Sequence, residues 1–217
     1  VDGKIILNNP YGKAEFMAST DPNFRPVRVA TGPDGCLYVV DMYRGIIQEG
    51  NWTREGSFLR PEIQRRNLDK NVGKGRIYRV VYKDVKPAKV EKMLPLSSKE
   101  LLPYLAHPNG WYRITAQKLL VLKQDKSVVS ELVKTLKENA KGTPKNDKGI
   151  ERLHALWTLD GLGELSKNNM IEKIKDADSR VSCAAIRISE KYLKEGDQKV
   201  FDTLKSLKNN QSKDVLI

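Results

Sequence analysis

At 217 residues, with 39% hydrophobic and 30% charged residues, the chain is long enough to bury a core and too apolar for intrinsic disorder, and no run approaches the ~20 apolar residues of a membrane span. The net charge of +12 raises nucleic acid as a partner, but the excess divides almost evenly along the chain and no RNP, zinc-finger or basic-zipper pattern accompanies it, so none is expected. Cys36 and Cys183 lie far apart in apolar contexts, with no CxxC, CxxCH or zinc spacing, and are expected to be free thiols rather than chemistry.

Residues 1–83 read as β-structure. The chain opens on Val1 and runs directly into strand-like residues at 4–8, so the native N-terminus is expected upstream. A second strand is expected at 15–19. Arg28 to Thr31 and Cys36 to Asp41 flank Gly32-Pro33-Asp34-Gly35, and an Asp-Gly step between two β-rich runs predicts a hairpin. Residues 75–82 alternate and are rich in β-branched and aromatic side chains, which predicts another strand. From 45 to 74 the pattern weakens into a long excursion with a short helix at 61–67. So long an excursion in a compact β domain points to a role at a site or interface.

A Pro- and Lys-bearing linker follows at 84–96, and the periodicity then changes. Ser97 or Ser98 can cap a helix that Pro103 makes irregular. Apolar residues at helical spacing predict helices over 111–122, 128–139, 149–162, 168–175, 179–193 and 198–207. Three segments align, Arg113-Ile-Thr-Ala116, Arg152-Leu-His-Ala155 and Ser182-Cys-Ala-Ala185, with His107-Pro-Asn109 and Asp176-Ala-Asp178 in equivalent turns before two of them. A small residue at a repeated helix crossing predicts an α-helical solenoid of the HEAT type over 97–217. Such repeats are usually platforms for a neighbouring domain or partner.

Two histidines are present, His107 and His154. His154, beside Ala155 and near Trp157, is expected in the core, and His107, before Pro108, is expected to brace a turn. Trp111, Tyr112, Leu156 and Trp157 could form an aromatic sugar platform, but at helical spacing they more simply pack the repeats.

Three runs carry a resemblance: Phe16 to Pro26, with Asp21 and Arg25; Gly32 to Ile47, with Asp41-Met42-Tyr43-Arg44-Gly45; and Gly73 to Val80, with Gly75-Arg76-Ile77-Tyr78-Arg79. Together with His107 to Gln117 and Arg152 to Leu162, they resemble the bacterial membrane-bound dehydrogenase family, which is similar to the soluble glucose and sorbosone dehydrogenases. The resemblance implies the closing part of a β-propeller of the NHL type joined to HEAT-like repeats. It also implies a periplasmic or surface-exposed location and oxidation of a sugar or polyol. Electrons would pass to a PQQ-like quinone or a c-type haem, with no cofactor held within this stretch, which should be inactive by itself. A non-catalytic interaction scaffold and a lactonase-like hydrolase are the alternatives.

On that frame Tyr43 and Arg44 are expected to face a central channel and meet an anionic cofactor or sugar hydroxyls, with Asp41 orienting Arg44. The alternative is a structural Asp41–Arg44 ion pair. Arg25, beside Phe24, is a further candidate, and Trp52 is the aromatic of the excursion most suited to contact a ligand.

Overall fold

The computed structural model describes residues 8–47, 50–138, 148–209 and 212–216. The chain divides into two compact units between Val90 and Glu91, inside the stretch read as linker.

In the first unit three strands, β1 (Pro26–Thr31), β2 (Leu37–Asp41) and β3 (Arg76–Val80), form an antiparallel sheet in the order β1-β2-β3. The Asp-Gly hairpin is present. Gly35 takes φ +80°, where a side chain would be strained, and Gly32 N–H bonds back to the Cys36 carbonyl at 2.9 Å. Pro26 begins the edge strand, where its missing N–H breaks no central ladder, and a register shift follows between Pro26 and Arg28. The central strand carries the buried Val39 and Asp41, whereas every residue of β1 is exposed. The excursion holds two short helices, α1 (Gly50–Thr53) and α2 (Arg60–Arg65), the second with Pro61 in its first turn and Ile63 buried.

The closing blades of a β-propeller followed by a HEAT-like solenoid are therefore not the architecture. Among the described residues a single three-stranded sheet is followed by eight α-helices. A blade needs four strands. The stretch at 15–19 pairs with nothing and runs as coil, and the candidate at 4–8 lies almost wholly outside the described residues. Local alternation reports that a segment is extended; it does not report how many neighbours it finds.

The second unit begins with α3 (Ser98–Leu101), capped by a reciprocal Ser97–Glu100 box, and a 3₁₀ turn at Leu102–Ala106 that accommodates Pro103. Then come α4 (Gly110–Lys123), α5 (Val129–Lys137), α6 (Lys148–Gly161), α7 (Lys167–Ile174), α8 (Ser179–Lys194), α9 (Gln198–Lys205) and α10 (Lys213–Leu216). The two equivalent turns share one hydrogen-bond scheme. His107 Nδ1 accepts from Asn109 N–H and Asn109 caps Trp111 N–H, while Asp176 accepts from Asp178 N–H and Asp178 caps Arg180 N–H. Ala116, Ala155 and Ala185, the small residues that the repetition marks, are all fully buried, and α6 packs against both α4 and α8. No helix among the described residues is long and apolar enough to cross a membrane.

Candidate functional site

At the end of β2 the three runs of the resemblance meet. Asp41 is 1% exposed, and its Oδ1 accepts the backbone N–H groups of Arg25 (2.7 Å) and Tyr43 (2.8 Å). Tyr78 on β3 places its hydroxyl 3.4 Å from the other carboxylate oxygen. A carboxylate that receives two amides from segments 16 and two residues away fastens the chain entering β1 to the chain leaving β2. Asp41 therefore braces backbone, a role distinct from the orienting of Arg44 that its sequence position suggested.

Tyr43 sits at φ +46°, the left-handed region that a bulky side chain seldom adopts. Several contacts hold it there: its hydroxyl donates to Asp21 Oδ2 at 2.6 Å, and Asn71 Nδ2 donates to its carbonyl at 2.7 Å. The Arg76 guanidinium lies 3.3 Å from the centre of its ring. The Tyr43 hydroxyl holds the Asp21 carboxyl below its usual value, helped by Asn23 N–H and Arg76, and the same bond raises the Tyr43 phenol. The Tyr78 hydroxyl, aided by Tyr43, raises Arg76 further, so the exposed guanidinium is a fixed positive charge on an aromatic face.

Arg25 is half-buried, its guanidinium turned to the carbonyls of Phe24 (2.8 Å) and Gly45 (3.4 Å). It also lines a cavity of about 480 Å³ whose walls include Ile46, Leu59, Ile63, Leu68 and Glu62. Gly45 permits this closeness, since a Cβ there would lie 2.6 Å from Leu68. Glu62 is held down to about 2 by Arg65 at the end of the same helix and Arg66 just after it. Arg44 is half-buried on the loop after Tyr43, and Trp52 lies on α1 with its side chain outside the described residues. With the propeller goes the central channel that Tyr43 and Arg44 were expected to face.

A second carboxylate closes the other end of the hairpin. Asp34 Oδ1 accepts Cys36 N–H, and Oδ2 meets the Tyr38 hydroxyl (3.0 Å) and Arg79 (2.5 Å). Burial pushes the Asp34 carboxyl up, but these three donors outweigh it and hold it low. Cys36 is buried and free, and Cys183 is a free thiol in a half-buried position.

Trp111, Tyr112 and Trp157 of the helical unit pack rather than project. Tyr112 is buried, with its ring in contact with Tyr104, His107 and Trp111. His154 receives Arg113 Nε at Nε2 (3.3 Å) and contacts Gln117 Oε1 through Nδ1 (2.7 Å), and burial lowers it to about 4. No group of three or more His, Cys, Asp or Glu among the described residues is arranged to hold a metal ion.

Asp21, Arg76 and Tyr78 lie in the quoted runs but were not singled out as site residues. Their pairing with Tyr43 and Asp41 spans 22 to 37 residues, and the one local sign was their place in those runs. Residues 6–84 match a family model described as a domain of unknown function, DUF7133. Comparison with curated proteins and with solved structures gave no match.

Proposed function

We propose that this chain belongs to an exported oxidoreductase acting on a sugar or polyol, and that its first unit supplies ligand contacts rather than the chemistry of oxidation. The observation that carries the reading is convergence. The three separated runs that resemble the membrane-bound dehydrogenases contribute Asp21 and Arg25, Asp41 and Tyr43, and Arg76 and Tyr78 to one network. A strained tyrosine held by contacts from that many segments is the kind of feature found at binding sites. A sugar offers an apolar ring face and a hydroxyl edge; the aliphatic cavity wall beside Arg25 suits the first, and the exposed Arg76 over the Tyr43 ring offers donors to the second.

Oxidising an alcohol requires a base for the hydroxyl proton and an acceptor for the hydride. The first unit contains no histidine. Asp41 Oδ1 is taken by two backbone amides and the Tyr78 hydroxyl faces its other oxygen, and Asp21 is held ionised as a weak base. A c-type haem does not fit this chain, because Cys36 and Cys183 stand alone and neither forms a CxxCH run. A quinone bearing several carboxylates would meet Arg76 over Tyr43, but Arg25 is turned to backbone carbonyls, and these two do not make a cradle for it. The residues here bind and orient; turnover by the chain alone is not expected.

The test is calorimetric titration of the full chain with glucose, sorbitol and gluconate, alongside a dye-reduction assay. Saturable binding, weakened about tenfold by Arg76→Ala and without dye reduction, supports the reading. If none of the three binds saturably, or Arg76→Ala leaves affinity unchanged, the ligand-contact role is wrong and a non-catalytic scaffold is the better account.

A further inference from the structure

In the helical unit, Arg152 on α6, Lys173 on α7 and Asp176 in the turn before α8 are buried together. Their side chains are 3%, 8% and 6% exposed. Two cations thus face one buried carboxylate. Arg152 Nη2 takes Asp176 Oδ1 at 2.8 Å, which also accepts Asp178 N–H, so that oxygen is well used. The other donors are poorly served. Lys173 Nζ reaches Asp176 Oδ2 and Glu172 Oε1 only at 3.4 Å each, and Arg152 Nη1 reaches the Glu138 carbonyl at 3.5 Å. Arg152 Nε is buried with no hydrogen-bond partner. Buried charged donors normally find acceptors, because an unmade bond there leaves desolvation uncompensated.

These side chains line a polar cleft of about 280 Å³, together with Glu138, Glu172 and Lys175. That is ample for a tetrahedral anion, against about 30 Å³ for one water. We propose that the cleft binds a small tetrahedral oxyanion of the phosphate class, with Lys173 Nζ and the Arg152 guanidinium as its principal donors and Lys175 as an outer one. The acidic neighbours offset this field only in part: Asp176 and Glu172 are ion-paired with Arg152 and Lys173 themselves, but Glu172 is 59% exposed to solvent and Glu138 is ion-paired with Lys148 at 3.3 Å. An acceptor-only ligand matches donors that lack acceptors; a cation is the wrong sign.

Inorganic phosphate is the probe, added to the full chain in an oxyanion-free buffer, with sodium chloride at matched ionic strength and acetate as parallel arms. A saturable rise of a few degrees in the melting midpoint is expected with phosphate beyond that with chloride, and phosphorus NMR of phosphate should broaden on adding protein. Lys173→Gln, checked first for native circular dichroism, should abolish both effects. The NMR readout on the unsubstituted chain stands even where a variant fails to fold. A rise no larger than with chloride and no broadening, or the same response in Lys173→Gln, overturns the site. An equal rise with acetate overturns its assignment to a tetrahedral ion.

Discussion

Among the described residues the first unit buries three apolar side chains, Cys36, Val39 and Ile63, whereas the helical unit buries twenty in one cluster from Met93 to Val200. The first unit compensates with carboxylates. Asp34 ties together the hairpin turn, Tyr38 and Arg79, and Asp41 ties the entrance of β1 to the exit of β2. Apolar burial is non-directional and tolerates adjustment, while a buried carboxylate with several donors demands one geometry. Where the sheet offers little core, polar geometry holds the loops that carry Arg25 and Tyr43. In the helices, apolar packing holds the fold and polar side chains cap its turns.

The comparison predicts different weak points. The largest effect belongs to the helical core. Leu156, fully buried at the middle of α6, has no polar substitute for its contacts, so Leu156→Ala should cost about 3 kcal/mol and lower the denaturant midpoint of the helical circular dichroism signal. A loss below about 1 kcal/mol would mean that the cluster is loosely packed there and that the contrast with the sheet is overstated.

The next effect belongs to the sheet. Asp41→Ala strands the N–H groups of Arg25 and Tyr43, costing about 1–3 kcal/mol locally, and those two amides should lose hydrogen-exchange protection. Val39→Ala in the same strand removes apolar contact but leaves the amides paired. If it deprotects Arg25 and Tyr43 as strongly as Asp41→Ala does, core rather than carboxylate holds these loops.

Local elements were legible because their causes are local. The Asp-Gly step marked the hairpin, Ser97, Asn109 and Asp178 marked helix starts, and the repeated alanines marked buried positions of α4, α6 and α8. The sheet's extent was not legible, because residues 15–19 look extended and find no partner. Asp41 illustrates the difficulty at the site. Its neighbour Arg44 suggested an ion pair, yet its acceptor capacity goes to backbone amides, and backbone donors carry no residue signature. Arg76 over Tyr43 depends on strand pairing across the whole excursion, as the Arg152–Asp176 pair depends on how α6 meets the turn before α8.

The smallest effect concerns pH and again separates the units, since the first has no histidine. Burial, reinforced by the nearby Arg113 charge, takes His154 to about 4 from its ordinary 6.5. Between these values the unfolded chain binds a proton that the folded chain does not, so stability is full above pH 6.5 and falls as pH drops toward 4. Protonation would also set a second cation against Arg113 Nε and remove the acceptor that it uses at Nε2. The melting midpoint of the helical signal should therefore fall by on the order of a few degrees across that window, the burial being partial. His154→Gln keeps a polar group there without a titrating ring, so the difference in midpoint between it and the parent chain should narrow as pH falls from 6.5 to 4. Parallel pH profiles for the two proteins would assign the acid sensitivity to carboxylates instead and leave His154 as packing alone.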